Sequence, residues 1–128
     1  DDADASAGRT TLGLGTIATA AAVDFCPVDK ATLTYGATTD VDFSAAGGIK
    51  TLSLTGNVTF TTSNRTAARQ PLLIRIIADG SARTFTFPSW KWIGAVPTGI
   101  AASKTGVLSL TCFGTNDSDV VAAYAVEA

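Results

Sequence analysis

Polar and apolar residues alternate one for one in six separate stretches of this chain, and no other feature limits its fold so tightly. Leu33 and Tyr35 alternate with Thr32 and Thr34, Val41 and Phe43 with Asp40 and Asp42, and Leu52 and Leu54 with Thr51, Ser53 and Thr55. Val58 and Phe60 alternate with Thr59 and Thr61, Phe85 and Phe87 with Thr84 and Thr86, and Leu108, Leu110 and Cys112 with Ser109 and Thr111. An extended chain sends successive side chains to opposite faces, so a period of two marks strands with one buried and one wetter face. Threonine supplies most of the polar partners, and its β-branched side chain packs well on a pleated surface.

Two further stretches are apolar on nearly both faces. Leu72-Leu73-Ile74-Arg75-Ile76-Ile77 reads as a central strand covered on both sides, and the alanine-rich run Val120 to Val126 as a last strand set against a neighbouring surface. Turn chemistry separates the strands at Gly36-Ala37, Gly47-Gly48, Thr55-Gly56-Asn57, Asp79-Gly80-Ser81 and Gly114-Thr115-Asn116-Asp117. Read as hairpins, these predict an all-β fold: an antiparallel, jelly-roll-like β-sandwich of about eight strands. Pro88 to Lys104 breaks the alternation, holds both tryptophans and reads as a long loop.

The first residues differ from the rest. Acidic residues near Asp1 and a stop at Gly13 suit a short helix over residues 1–12. Leu12, Leu14 and Ile17 then lack an intramolecular partner, so this neck is expected to pack against copies of itself or a preceding domain. The expected division is a neck or trimerisation segment over 1–25 and a β-sandwich domain over 26–128.

With 128 residues the chain suits one domain. Charged residues make up only 16% of it, against about a quarter in ordinary globular chains, which suggests that another chain covers part of the surface. The net charge is −2 and the nearest approach to a basic cluster is Arg65 with Arg69, too little for nucleic-acid binding. Membrane insertion is not expected either, because Arg75 interrupts the longest apolar run. The chain holds no methionine and starts at Asp1, so the expectation is a processed protein or a piece of a longer one. Cys26 and Cys112 form no framework, and Cys112 reads as a small buried hydrophobe rather than half of a bridge.

Enzyme chemistry finds little to use. There is no histidine, so Ser-His and Cys-His nucleophile systems are impossible within one chain. Gly13-Leu14-Gly15 is too short for a dinucleotide fingerprint. Asp40 and Asp42 share a strand face and form a conceivable glycosidase pair, but a charged edge that discourages aggregation explains them better. Asn116-Asp117-Ser118-Asp119 offers oxygens to calcium, yet an Asx turn explains the same residues. Neither a metal nor a cofactor is expected. Trp90-Lys91-Trp92 is the most informative local feature: exposed indoles stack on sugar rings, and Lys91 suits an acidic polysaccharide. The rings equally suit the end of a sandwich core.

Arg9-Thr10-Thr11-Leu12-Gly13-Leu14-Gly15-Thr16-Ile17-Ala18 resembles a segment that recurs in bacteriophage tail fibres and related host-attachment proteins, where it sits in a trimeric shaft or neck. Thr32 to Val126 resembles a β domain found at the C-terminal end of phage fibre and other virion proteins. The matching stretches are Val41-Asp42-Phe43, Leu52 to Phe60, Arg83 to Pro88 with Trp92, Pro97-Thr98 and Phe113 to Asn116.

The resemblance implies a homotrimeric virion component, assembled in the bacterial cytoplasm and then extracellular. It would join other virion proteins through its N-terminal segment and support attachment to a bacterial surface polysaccharide. Tail fibre, head fibre and spike all remain open. The resemblance also gives Trp92 to the core, and leaves Trp90 either as an exposed contact or in a trimer interface. Two other readings stand beside it: a purely structural trimerisation or joining domain of the virion, and a carbohydrate-binding module of a secreted bacterial protein.

Overall fold

The computed structural model describes residues 30–45, 47–68 and 70–128. The neck with Leu12, Leu14 and Ile17, and also Cys26 and Arg69, lie outside the described residues.

The described chain is all-β and forms two sheets. Its strands are β1 (Lys30–Thr32), β2 (Thr38–Asp42), β3 (Ile49–Leu54), β4 (Val58–Ser63), β5 (Leu72–Ala78), β6 (Arg83–Thr86), β7 (Lys91–Trp92), β8 (Gly99–Ile100), β9 (Thr105–Cys112) and β10 (Val120–Val126). Six strands make one sheet in the order β1-β3-β5-β9-β10-β7, and four make the other in the order β2-β4-β6-β8. Two short stretches inside the expected loop Pro88 to Lys104 thus become strands, β7 and β8.

The pairing departs from an antiparallel jelly roll. β1, β3 and β5 run parallel to one another, as do β2, β4 and β6. Odd strands of this first half lie in one sheet and even strands in the other, so the chain coils between the two layers. Only then does it turn antiparallel, with β8 on β6, β9 on β5 and β10 on β9. The reason lies in the turns. Thr55-Gly56-Asn57 and Asp79-Gly80-Ser81 join strands of opposite sheets, acting as arches rather than hairpins.

The arches stack on one another. The Tyr35 hydroxyl, between β1 and β2, donates to the Asn57 carbonyl between β3 and β4, at 3.0 Å. Asn57 Oδ1 in turn accepts from the backbone N–H of Thr84, at the start of β6, at 3.0 Å. Each coil therefore touches mainly the next, as in other repeat architectures.

One core fills the space between the sheets. Leu52, Leu54, Leu72, Ile74, Ile76, Leu108 and Leu110 reach it from the six-stranded sheet, and Val41, Val58 and Phe60 from the four-stranded sheet, all fully buried. Each such side chain contributes about 1.5–3 kcal/mol relative to exposure. β5 is central but covered on one face only among the described residues: Leu73 is 42% exposed. β10 likewise lies inside its sheet, between β9 and β7, with Ala125 exposed on its outer face.

Candidate functional site

Both tryptophans turn inward. β7 runs parallel to β10 with Lys91 opposite Val121 and Trp92 opposite Ala122. The ladder continues one step, because the Ile93 N–H donates to the Ala122 carbonyl at 2.8 Å. Inward and outward alternate along this stretch, so Trp92 packs on the core while Lys91 and Ile93 face solvent. Trp90 precedes the strand in a tight turn, its N–H donating to the Pro88 carbonyl at 2.7 Å.

Trp90 is only 5% exposed. Its ring centroid lies 5.3 Å from that of Phe87, 6.2 Å from Phe60 and 6.1 Å from Trp92. Phe87 also stacks flat on Phe60 at 5.2 Å. The expectation of Trp90 as an exposed ligand contact is therefore corrected. Residues two apart do point the same way, as the sequence required, but that way is into the sandwich. The burial leaves the ring no free face for a sugar or for a second copy. It also leaves the Trp90 Nε1–H buried without a partner among the described residues.

Lys91 keeps the exposure expected of it. Its charge helps hold the Asp119 carboxyl below the usual range, after the larger effect of the Asn116 backbone N–H. That N–H donates to Asp119 Oδ2 at 2.9 Å, and the Asp119 N–H returns to the Asn116 carbonyl at 3.0 Å. Asp117 meets the Arg65 guanidinium at 2.9 Å. Asp119 Oδ2 and the Asn116 carbonyl are thus engaged by the turn, and Asp117 Oδ1 by an ion pair. Among the described residues, no three or more of His, Cys, Asp and Glu converge as a metal cluster.

Arg65 was not legible as a linking residue. Its side chain also donates to the Thr62 carbonyl at 2.9 Å and the Thr115 carbonyl at 2.8 Å, fastening the end of β4 to the turn before β10. The one signal available was its place after a strand end, among residues rich in oxygen. Cys112 is partly buried beside this fastening, with its Sγ 3.2 Å from the Gly114 carbonyl. A shallow cavity of about 200 Å³ adjoins it, lined by Ala68, Gln70, Pro71 and Thr111.

The outer face of the four-stranded sheet carries a regular polar array. Thr38, Thr59 and Thr86 stand in one row across β2, β4 and β6, all exposed. Asp40 pairs with Thr61 in the next row and Asp42 with Ser63 in the third. Thr61 Oγ1 donates to Asp40 at 2.9 Å, and Ser63 Oγ donates to the other oxygen of the same carboxylate. Asp42 accepts from Asn64 Nδ2 at 2.9 Å and from the Ser44 hydroxyl at 2.7 Å. These bonds, Asn64's first, hold the Asp42 carboxyl below its ordinary range, which suits a charged, hydrogen-bonded carboxylate and not a general acid at Asp42.

Among the described residues no helix is long and apolar enough to cross a membrane. Compared with protein-family models, curated proteins and solved structures, the chain matches none.

Proposed function

We propose that this chain is a fibre or spike domain of a phage or phage-like virion, homotrimeric, that supports attachment to a bacterial surface glycan. The observation that carries the reading is the polar array on the four-stranded sheet. Three rows of hydroxyl and carboxylate groups stand in register on parallel strands, spaced by about 4.8 Å from strand to strand. Such a surface offers a polysaccharide donors and acceptors at a repeat that a sugar chain can follow. The resemblance of Arg9 to Ala18 to fibre necks supports the virion setting.

A glycan array probed with the whole chain, and with Thr59→Val/Thr61→Val, tests the reading. Binding by the wild type that drops at least tenfold in the variant supports it. Binding that survives the change removes the array as the contact surface. Absence of binding on a broad panel of bacterial glycans leaves the second reading, a purely structural trimerisation or joining domain. The burial of Trp90 and the partial burial of Trp92 favour that reading, because they withdraw this pair of rings from a sugar.

A further inference from the structure

The two sheets wear opposite outer faces. Outward positions of the four-stranded sheet are threonine, serine and aspartate, as described above. Outward positions of the six-stranded sheet follow a different rule. One row across it reads Ile49, Leu73, Ser109 and Ala123, and the next reads Thr51, Arg75, Val107 and Ala125. Ile93 extends this face beyond β7. Leu73, Val107 and Ile93 are 42%, 43% and 70% exposed, and they account for three of the six large apolar side chains that stand open to solvent among the described residues.

We infer that copies of this chain associate through the outer face of the six-stranded sheet, with the β5 side of one copy against the β10 side of the next. Charge complementarity selects a second copy as the occupant. Arg75 on β5 lies amid the apolar residues and makes no ion pair among the described residues. Glu127 continues the outward positions of β10, where its N–H donates to the Thr105 carbonyl at 3.0 Å. Its Oε1 accepts from the Thr105 N–H at 2.8 Å, and the residue stays exposed. Arg75 and Glu127 thus stand on opposite sides of β9, one row apart, and a rotated copy brings each to the other. Lys30 and Lys91 lie on the two edge strands, where charge suits a hydrated rim.

The size sets the strength of the contact. From β3 to β7 the sheet is about 19 Å wide and β9 is about 27 Å long, giving a face of about 500 Å² at ordinary strand spacing and rise. Shared between two neighbours in a ring of three, this leaves about 250 Å² per partner in each contact, below the roughly 800 Å² of a standard interface, so the association is expected to depend on concentration. Closure of the contact into a ring of three rests on the homotrimer reading above.

Sedimentation velocity of the whole chain tests the inference. The wild type is expected as an oligomer of three. Arg75→Glu is expected to raise the dissociation constant at least tenfold, and Arg75→Glu/Glu127→Arg to restore it. Val107→Asp is expected to give monomers, while Thr59→Asp on the opposite sheet leaves the oligomer unchanged. Both members of the charge pair are exposed, but Glu127→Arg also removes the acceptor of the Thr105 N–H, so a urea melt of each variant separates folding from association, and a variant rescued by its partner has folded. An oligomer that persists through Arg75→Glu and Val107→Asp overturns this face and leaves the trimer reading standing. A wild type that sediments as a monomer overturns both.

Discussion

Asn57 and Thr84 are 27 residues apart, yet Asn57 Oδ1 accepts the backbone N–H of Thr84 at 3.0 Å, tying the second arch of the coil to the third. The same residue's carbonyl holds the Tyr35 hydroxyl of the first arch. Asn57 is therefore the staple of that end of the molecule. Asn57→Ala keeps the carbonyl contact and removes the side-chain one. Because the site is exposed, water replaces the lost acceptor, and the expected cost is about 0.5–1.5 kcal/mol in urea unfolding. Asn57→Asp, which keeps the acceptor, is expected to lose less.

The burial of Trp90 has its own consequence. Its ring sits among Phe60, Phe87 and Trp92. Trp90→Ala removes a core side chain rather than a ligand contact, at about 3–5 kcal/mol. Acrylamide quenching provides an independent check. With Trp90 at 5% exposure and Trp92 packed on the core, the native fluorescence is expected to resist quenching until the chain unfolds. Free quenching in the folded state would contradict this placement.

The inward set of side chains was legible because burial follows period two whatever the partner strand. Leu52, Leu54, Val58, Phe60, Leu108 and Leu110, all alternating in the sequence, are all buried. Strand direction was not legible, because parallel and antiparallel strands show the same alternation. Gly56 and Asn57 likewise suit an arch as well as a hairpin. Side-chain parity also hid the fate of Trp90: alternation says that Trp90 and Trp92 share a side, but not which side is the core. The Asp40 and Asp42 rows could be read only once β4 was known to lie beside β2.

Tyr124 shows what close packing leaves unpaired. Its ring meets Phe85 edge-on at 5.8 Å, and its hydroxyl is buried without a hydrogen bond among the described residues. Gly106 faces the tip of that ring, and a Cβ there would collide with Tyr124 Oη and Cζ. Removing an unpaired buried hydroxyl relieves its desolvation cost. Tyr124→Phe is therefore expected to leave stability unchanged or to raise it by about 1 kcal/mol. Gly106→Ala is expected to destabilise by about 1–3 kcal/mol, the usual cost of overpacking. Burial also raises the Tyr124 pKa, so the folded state holds its proton longer than the unfolded state does. The stability this gives is complete below the ordinary tyrosine pKa of about 10 and is lost as the pH climbs through the higher folded value. Tyr124→Phe should flatten the alkaline limb of the thermal melting curve.

Asp42 contributes to the other limb, together with Asp79 and Asp119. Asn64 Nδ2 and the Ser44 hydroxyl and N–H all donate to its Oδ1, and they favour the charged carboxylate in the folded chain. A depressed folded pKa means that the unfolded chain takes up its proton first as the pH falls. The contribution is therefore complete above the ordinary aspartate value of about 4 and disappears as the pH drops through the folded value. Asn64→Ala removes the largest of these effects. Asn64 also sits at a left-handed φ of 52°, where glycine is at ease and alanine is not, so Asn64→Gly is the cleaner variant. Melting temperatures followed from pH 7 to pH 2 should show a shallower acid decline for Asn64→Gly than for the wild type. Parallel declines would mean that Asp42 gains nothing from its partner across the ladder, and the polar rows of that sheet would then be surface decoration rather than a fixed array.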